Sequence, residues 1–514
     1  SRLFEAAYLV IARVPDERLT RNDWVFQSED GQHVAWADAL QQGLLHGRDF
    51  FCLYGPLYDW SVVGVWKLVG RSLAGWHLHV GVTEFLAWAA FLTLAASLLT
   101  RRWLLLGLVL LTPHLSLRIG LPIAALLFLV RFVRARKTRD AGLAGLLIGT
   151  ALLYSQEFGM AALLSAVLVH AVARTPRAML ATGAGLVVSM APVLIHSAVQ
   201  GALGPMLGDL AGYPAAVSAG YGNLPFPSLR AALPFDLALD PPDTRFLRMG
   251  LALAAVSVLG LALSLPRIPL HPRSPARWLR ALLDDWAARP ERFAVAVIAF
   301  FGLVAYRTAL GRSDAFHLFS CTATAFLLIA IAADRLLDRL RSDRGLVAFQ
   351  LGLGGLLLVA SGLVTGAGGA AWFHLEATAA TLGRIARGEI DPQGNGAVNR
   401  AVDWLEAHSE PDDRFYFLPN DAALYYLTRR PPTTRWVVSH QMVTEAYRQE
   451  AFADLRAAPP RYVVWNDATL RVDDIGDEII LGPELWAWLH ARYEPVKRVG
   501  GMRIWEYRGE GASP

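Results

Sequence analysis

The chain has 514 residues, 54% of them hydrophobic and only 18% charged, with a positive mean hydropathy, a balance foreign to ordinary soluble domains. Its net charge of +4 rests on 45 arginines against three lysines (Lys67, Lys137, Lys497). No basic stripe with interleaved aromatics is present, so a nucleic-acid partner is excluded. Two cysteines in unlike settings, Cys52 and Cys321, give no disulfide framework.

The apolar run 3–14 is too short to span a bilayer. It reads as a clipped first helix and not a cleaved signal peptide, because no small-residue cleavage site follows. Residues 29–58 are polar, acidic and aromatic. The run 57–72 is apolar but short, and fits an interfacial helix with Tyr58, Trp60 and Trp66 at the headgroup level. Apolar runs follow at 76–99, 103–117, 119–133, 141–156, 158–173, 178–200, 246–265, 293–310, 316–333 and 346–366. With the clipped start they predict about eleven spans.

The connecting loops alternate in charge. Arginines concentrate at 101–102, 131–139, 174–177, 267–292 and 335–344. The loops 29–58, 114–118, 156–157, 201–244 and 312–317 are acidic or mixed. The positive-inside rule puts the arginine set in the cytoplasm, and the acidic loops and the whole tail after residue 366 outside it. The Gly- and Pro-rich loop 201–244 is either a mobile cover over a site or an ordered connector.

After residue 366 charges and prolines rise. Helical patterns at 396–408, 421–427, 444–457 and 483–493 alternate with strands at 461–465 and 502–507, which predicts a small α/β domain. No Gly-rich turn joins strand to helix, so nucleotide binding is not indicated. No internal repeat argues for an inverted-repeat transporter. The expected fold class is mainly α: a polytopic membrane helical bundle over 1–366, with an outer loop at 15–75, and a small extracytoplasmic α/β domain over 367–514.

Glu29-Asp30-Gly31-Gln32-His33, with Gly47-Arg48-Asp49-Phe50 and Tyr54-Gly55-Pro56-Leu57-Tyr58, resembles the first extracytoplasmic loop of the GT-C superfamily. More narrowly it is similar to bacterial membrane glycosyltransferases of the RgtA/B/C/D-like and ArnT/protein-mannosyltransferase-like group. That loop commonly begins Asp-Glu-Gly; here the two acids are exchanged. Arg118, Gln156-Glu157, the stretch from Arg312 through Asp314 to His317, and the tail pieces Phe417-Leu-Pro and Leu424-Tyr-Tyr-Leu also resemble the group. The resemblance implies an integral protein of the bacterial inner membrane, surrounded by membrane lipids. It implies transfer of a sugar from a polyprenyl-phosphate donor to an envelope glycan, lipid or protein acceptor.

Such a transfer needs one carboxylate base for the acceptor hydroxyl and cationic donors for the leaving phosphate, which needs no general acid. Asp30 or Glu29 supplies the base. Arg48, Lys67, Arg118 and Arg312 are the phosphate candidates. Asp49, Glu157, Asp314 and His317 are their positioning partners or further substrate contacts. Tyr54 stacks on the sugar or anchors at the interface.

Each residue has a plainer reading beside this one. Asp30 also fits an N-cap. His33, four residues after Glu29, is a hydrogen-bonding residue or half of a divalent-metal pair; two ligands define no metal site. Arg48–Asp49 also fits a surface ion pair, and Arg118–Glu157 a structural one. Cys52 reads as a small loop residue, with no histidine partner evident by spacing. A lipid-linked sugar transporter or flippase, and a non-catalytic envelope-assembly partner, are the competing functions.

Overall fold

The computed structural model describes residues 30–112, 115–218, 242–266, 275–311, 323–339, 396–467 and 480–509. In chain order the early helices are α1 (Gly31–Gln41), α2 (Pro56–Val69), α3 (Leu73–Leu98), α4 (Leu104–Leu111), α5 (Leu117–Ala135) and α6 (Thr138–Tyr154). Then come α7 (Gln156–Ala173), α8 (Pro176–Val199), α9 (Leu203–Ser218), α10 (Pro242–Ser264), α11 (Pro275–Ala288), α12 (Pro290–Gly311) and α13 (Ala323–Arg339). The tail holds α14 (Ala397–Ala407), β1 (Phe415–Leu418), α15 (Ala423–Thr428), α16 (Glu445–Ala457), β2 (Tyr462–Asn466), α17 (Pro483–Arg492), β3 (Tyr493–Val499) and β4 (Met502–Tyr507).

The chain forms two compact units. Unit one takes residues 80–192 and, beyond residue 223, the helices α10 to α13. Unit two joins residues 30–79 and 193–218 to the tail strands and helices. Each unit is therefore assembled from stretches far apart in sequence.

Among the described residues, three helices, α3, α7 and α8, are long and apolar enough to cross a membrane. At 1.5 Å per residue even the 18-residue α7 reaches roughly 27 Å, close to the hydrocarbon thickness. On α8 Leu180 is 74% exposed, and Met179, Val187 and Val188 are exposed beside it. So much uncovered hydrocarbon is stable only against lipid. The predicted span over 103–117 resolves differently: α4 has eight residues, about 12 Å, and ends at Leu111, too short to cross. The predicted run 346–366 lies outside the described residues.

Unit one packs by close backbone approach. A methyl group added at Gly145 of α6 would lie 2.0 Å from the Thr182 carbonyl of α8, and one at Gly185 would lie 2.2 Å from the Gly142 carbonyl. Lipid tails are as apolar as leucine, so helices in a bilayer gain little from hydrophobicity. They associate where small residues let backbones touch.

Its charges gather at one end. Arg134 donates to the Ser97 carbonyl (2.6 Å) and pairs with Glu291. Arg335 reaches the Glu291 carbonyl (3.4 Å), and Arg101 pairs with Asp334 (2.9 Å) and Asp338 (2.8 Å). Arg174 pairs with Asp284 of α11 (2.8 Å). These contacts bring all five arginine-rich stretches together, as the charge alternation predicts. The segment 275–288, read as loop, is instead an amphipathic helix, with Leu282 and Trp286 buried and the Trp286 indole donating to the Ser264 carbonyl (2.8 Å).

In unit two the sheet order is β1-β2-β4-β3, with β1 and β2 parallel and the other pairs antiparallel. Val464 on β2 lies between Phe417 and Ile504. The parallel pair needs a crossover, and α16 supplies its main helix, capped by Thr444 Oγ1 accepting the Tyr447 N–H (3.2 Å). The core contains Tyr416, Trp436, Val463, Trp465 and Leu485, and also Phe51 from the loop before α2 and Tyr213 from α9.

Gly145→Ala is expected to destabilise the chain by about 1–3 kcal/mol, as overpacking does. Gly183→Ala on α8, where an added methyl meets nothing within 4 Å, should be neutral. Thermal unfolding of the two variants in the same detergent checks this; equal losses would contradict the packing account.

Candidate active site

Asp30 stands at the start of α1 and is only 8% exposed. Its backbone is already helical and its side chain makes no capping hydrogen bond, which corrects the N-cap reading. One turn on, His33 sits in a ring of aromatics: Tyr58 at 4.6 Å between centroids, Trp36 at 5.2 Å, Tyr54 at 5.3 Å and Trp76 at 5.7 Å. Trp36 and Trp76 are fully buried, whereas Tyr54 and Tyr58 are half-exposed. The nest thus has a rigid floor and an accessible rim, suited to stacking against the apolar face of a sugar. Tyr58 is part of this nest. Trp66 is no headgroup anchor: it is buried, donates to the Ser72 carbonyl (3.0 Å) and leans on Tyr426.

Two ionic ties hold this region to the tail. Asp38, buried on α1, pairs with Arg71, whose guanidinium also bonds the Tyr426 carbonyl (2.8 Å) and covers the Tyr426 ring at 4.0 Å. Arg435 is the second tie. It binds both oxygens of Asp209 (3.0 and 2.8 Å), Glu450 (2.5 Å) and the Gly47 carbonyl (3.2 Å), and lies 4.5 Å over Trp436. Its own carbonyl accepts the Phe51 N–H (2.6 Å). Burial lowers the Arg435 pKa, but the Asp209 and Glu450 contacts outweigh it and the net shift is upward. Burial lifts Asp209 above the usual carboxylate range despite that partner. Gln32 meets Gln441 at 3.1 Å.

Arg48 and Asp49 form a two-pronged ion pair (2.9 and 2.8 Å), and Arg48 also bonds the Gln200 carbonyl (2.9 Å). The hydrogen bond from Arg48 holds Asp49 below its ordinary pKa. This half-exposed pair ties the loop to the end of α8. Lys67 is exposed on the last turn of α2.

In unit one Arg118 and Glu157 are brought together in an ion pair, with Ser155 Oγ at 3.5 Å. Arg118 lies 16 residues before Arg134 on α5, roughly 24 Å along the helix. The pair therefore occupies the end of unit one opposite the arginine belt. Glu29, Arg312, Asp314 and His317 lie outside the described residues, and with Glu29 goes the Glu29/His33 metal pair.

The loop before α2 holds a cluster that spacing did not disclose. His46, Cys52 and Asp59 are all buried, with a ring nitrogen, the Sγ and a carboxylate oxygen within 4.8 Å of one another. Cys52 thus does have a histidine neighbour, six residues earlier, and an aspartate seven later. Burial pushes the Asp59 carboxyl up to about 8, with the Cys52 thiol easing it back, and pulls His46 down to about 4 against the Tyr54 carbonyl. Asp38–Arg71 and Arg435–Asp209 were also missed, since no local pattern marks residues 33 and 226 positions apart.

No protein-family model and no curated protein matches the sequence. Among solved structures, the chain is similar to ArnT from Cupriavidus metallidurans bound to undecaprenyl phosphate, with a TM-score of 0.50 and 15% identity. The match covers 99% of both chains. The chain shares the overall fold of this ArnT structure. The apo structure of the same protein is also similar, with a TM-score of 0.45 and 14% identity over 93% of this chain and 92% of that one.

Removing Arg435 strands Asp209, whose side chain is only 7% exposed. Arg435→Met is expected to cost about 3–5 kcal/mol, and Arg435→Met/Asp209→Leu to recover part of it. Unfolding curves of the single and double variants test this coupling; no recovery in the double variant would refute it.

Proposed function

We propose that this chain is an integral membrane glycosyltransferase. It moves a sugar from a polyprenyl-phosphate donor to a cell-envelope glycan, lipid or protein on the extracytoplasmic face of the bacterial inner membrane. The observation that carries this reading is Asp30: a shielded carboxylate with no capping role, one helical turn from an aromatic nest with a half-exposed rim. The ArnT fold supports the donor class, because the ArnT crystal structure contains undecaprenyl phosphate.

In this reading Asp30, or its neighbour Glu29, takes the proton of the acceptor hydroxyl as that oxygen bonds to the sugar's anomeric carbon. The bond from that carbon to the phosphate oxygen breaks on the opposite face, and the electron pair leaves with the polyprenyl phosphate. The configuration inverts. Arg118, oriented by Glu157, stabilises the charge growing on the phosphate, with Arg48 or Arg312 in support. Tyr54 and Tyr58 stack on the sugar. The arginine belt faces the cytoplasm by the positive-inside rule, which puts Arg118 at the outer end of unit one. The tail then lies outside as well, where it covers the site or binds acceptor glycan.

The test is transfer by the purified full chain, given radiolabelled polyprenyl-phosphate sugars and a crude envelope acceptor. Asp30→Asn or Glu29→Gln, whichever is the base, should lower turnover about 10²–10⁴-fold. Arg118→Ala should weaken donor use. Transfer unchanged by both acid substitutions would overturn the assignment. Translocation without transfer would instead identify a lipid-linked sugar transporter, and neither activity a non-catalytic assembly partner.

A further inference from the structure

We propose that His46, Cys52 and Asp59 form a binding site for one transition-metal cation of the zinc class. Their ligand atoms lie within 4.8 Å of one another, and all three residues are at most 6% exposed. Ligands about 2.0–2.3 Å from a tetrahedral ion stand roughly 3.5 Å apart, so a small inward movement of side chains completes the geometry.

The polar atoms around the cluster point to a cation. Asp59 is almost wholly buried, and the Cys52 thiol is the group facing its carboxyl; no N–H or O–H is donated to either oxygen. His46 places Nε2 3.1 Å from the Tyr54 carbonyl, and the backbone of Cys52 also faces its buried ring. Metal-bound imidazoles are held by one nitrogen donating to a carbonyl, as Nε2 can to Tyr54, while the other turns its lone pair to the ion. A dication would neutralise the two charges that Asp59 and Cys52 carry once they bind it as carboxylate and thiolate. Either anion alone would be costly to bury.

The donor set selects the metal. Thiolate and imidazole favour zinc, cobalt or copper over calcium and magnesium, which take oxygen cages. The same residue types occur in cysteine hydrolases, but Cys52 is 2% exposed and no substrate reaches it. The role that fits is structural. The ion would pin the loop carrying Tyr54 to the first turn of α2, where Asp59 sits. The site stands whether or not the chain transfers sugar.

The test uses the full chain, expressed in cobalt-supplemented medium and purified in detergent without chelator. One equivalent of Co²⁺ per chain is expected, with the thiolate-to-cobalt charge-transfer absorption that only a cysteine ligand produces. Cys52→Ser should abolish that band. Asp59→Asn should weaken retention by more than the about 10–100-fold that losing an outer-sphere partner costs. Glu157→Gln should leave both unchanged. No bound cobalt, cobalt without the thiolate band, or an unchanged band in Cys52→Ser would overturn the proposal. The wild-type spectrum decides even if a variant fails to fold.

Discussion

A guanidinium taken out of water must be met on every edge, and Arg435 satisfies that demand with groups from three separate stretches of chain. Asp209 comes from α9, Glu450 from α16 and a carbonyl from the loop at Gly47. The flat face is covered by Trp436. None of these groups is a neighbour of Arg435 along the chain except Trp436. The cost of leaving any one of them unmatched is what docks the polar loop onto the α/β tail. Through Phe51 and Gly47 the same contact fixes the segment that carries Tyr54, and Arg71 with Asp38 does the equivalent service for α1. The region around Asp30 is thus positioned by buried ion pairs more than by its own helix, which has no cap bond to anchor its start.

Unit one solves the opposite problem. It has little polar surface to match along its length, so its charges sit at helix ends. Its contact faces are trimmed to glycine, and its outward faces remain hydrocarbon. In the arginine belt at one end, Arg101, Arg134 and Arg174 are each matched by an acid or a carbonyl on another helix. Arginines that report orientation therefore also tie helices together. At the other end Arg118 pairs with Glu157, which suits a chain that must receive an anionic lipid headgroup there on the proposed reading.

Much of this was legible because periodicity and charge are local signals. The tail strands at 462–466 and 502–507 and four tail helices lie within a residue or two of their predicted limits. The grouping of the five arginine-rich loops also followed from sequence alone. What was not legible depends on contacts across long separations. β3 has Pro495, two exposed basic residues and a register shift, and carries no alternating pattern to announce it. The amphipathic α11 was hidden by its charge, which reads as loop. Trp66 looked interfacial because indoles favour that zone, but Tyr426, 360 positions later, gives it a burial site. The His46, Cys52 and Asp59 cluster was hidden because its members are spaced by a turn, not by a helix or strand.

The four-stranded sheet has one further consequence. β3 closes one margin with a proline, a bulge and outward-facing Lys497 and Arg498, while β1 is wholly buried at the other, bridged to Pro432 and bonded by Thr433. The β1 rim is thus covered, and the β3 rim is blunted by proline, bulge and charge against an incoming strand. Any macromolecule that meets this tail has to be gripped by side chains, and the sheet itself is protected from recruiting copies of its own kind into fibrils.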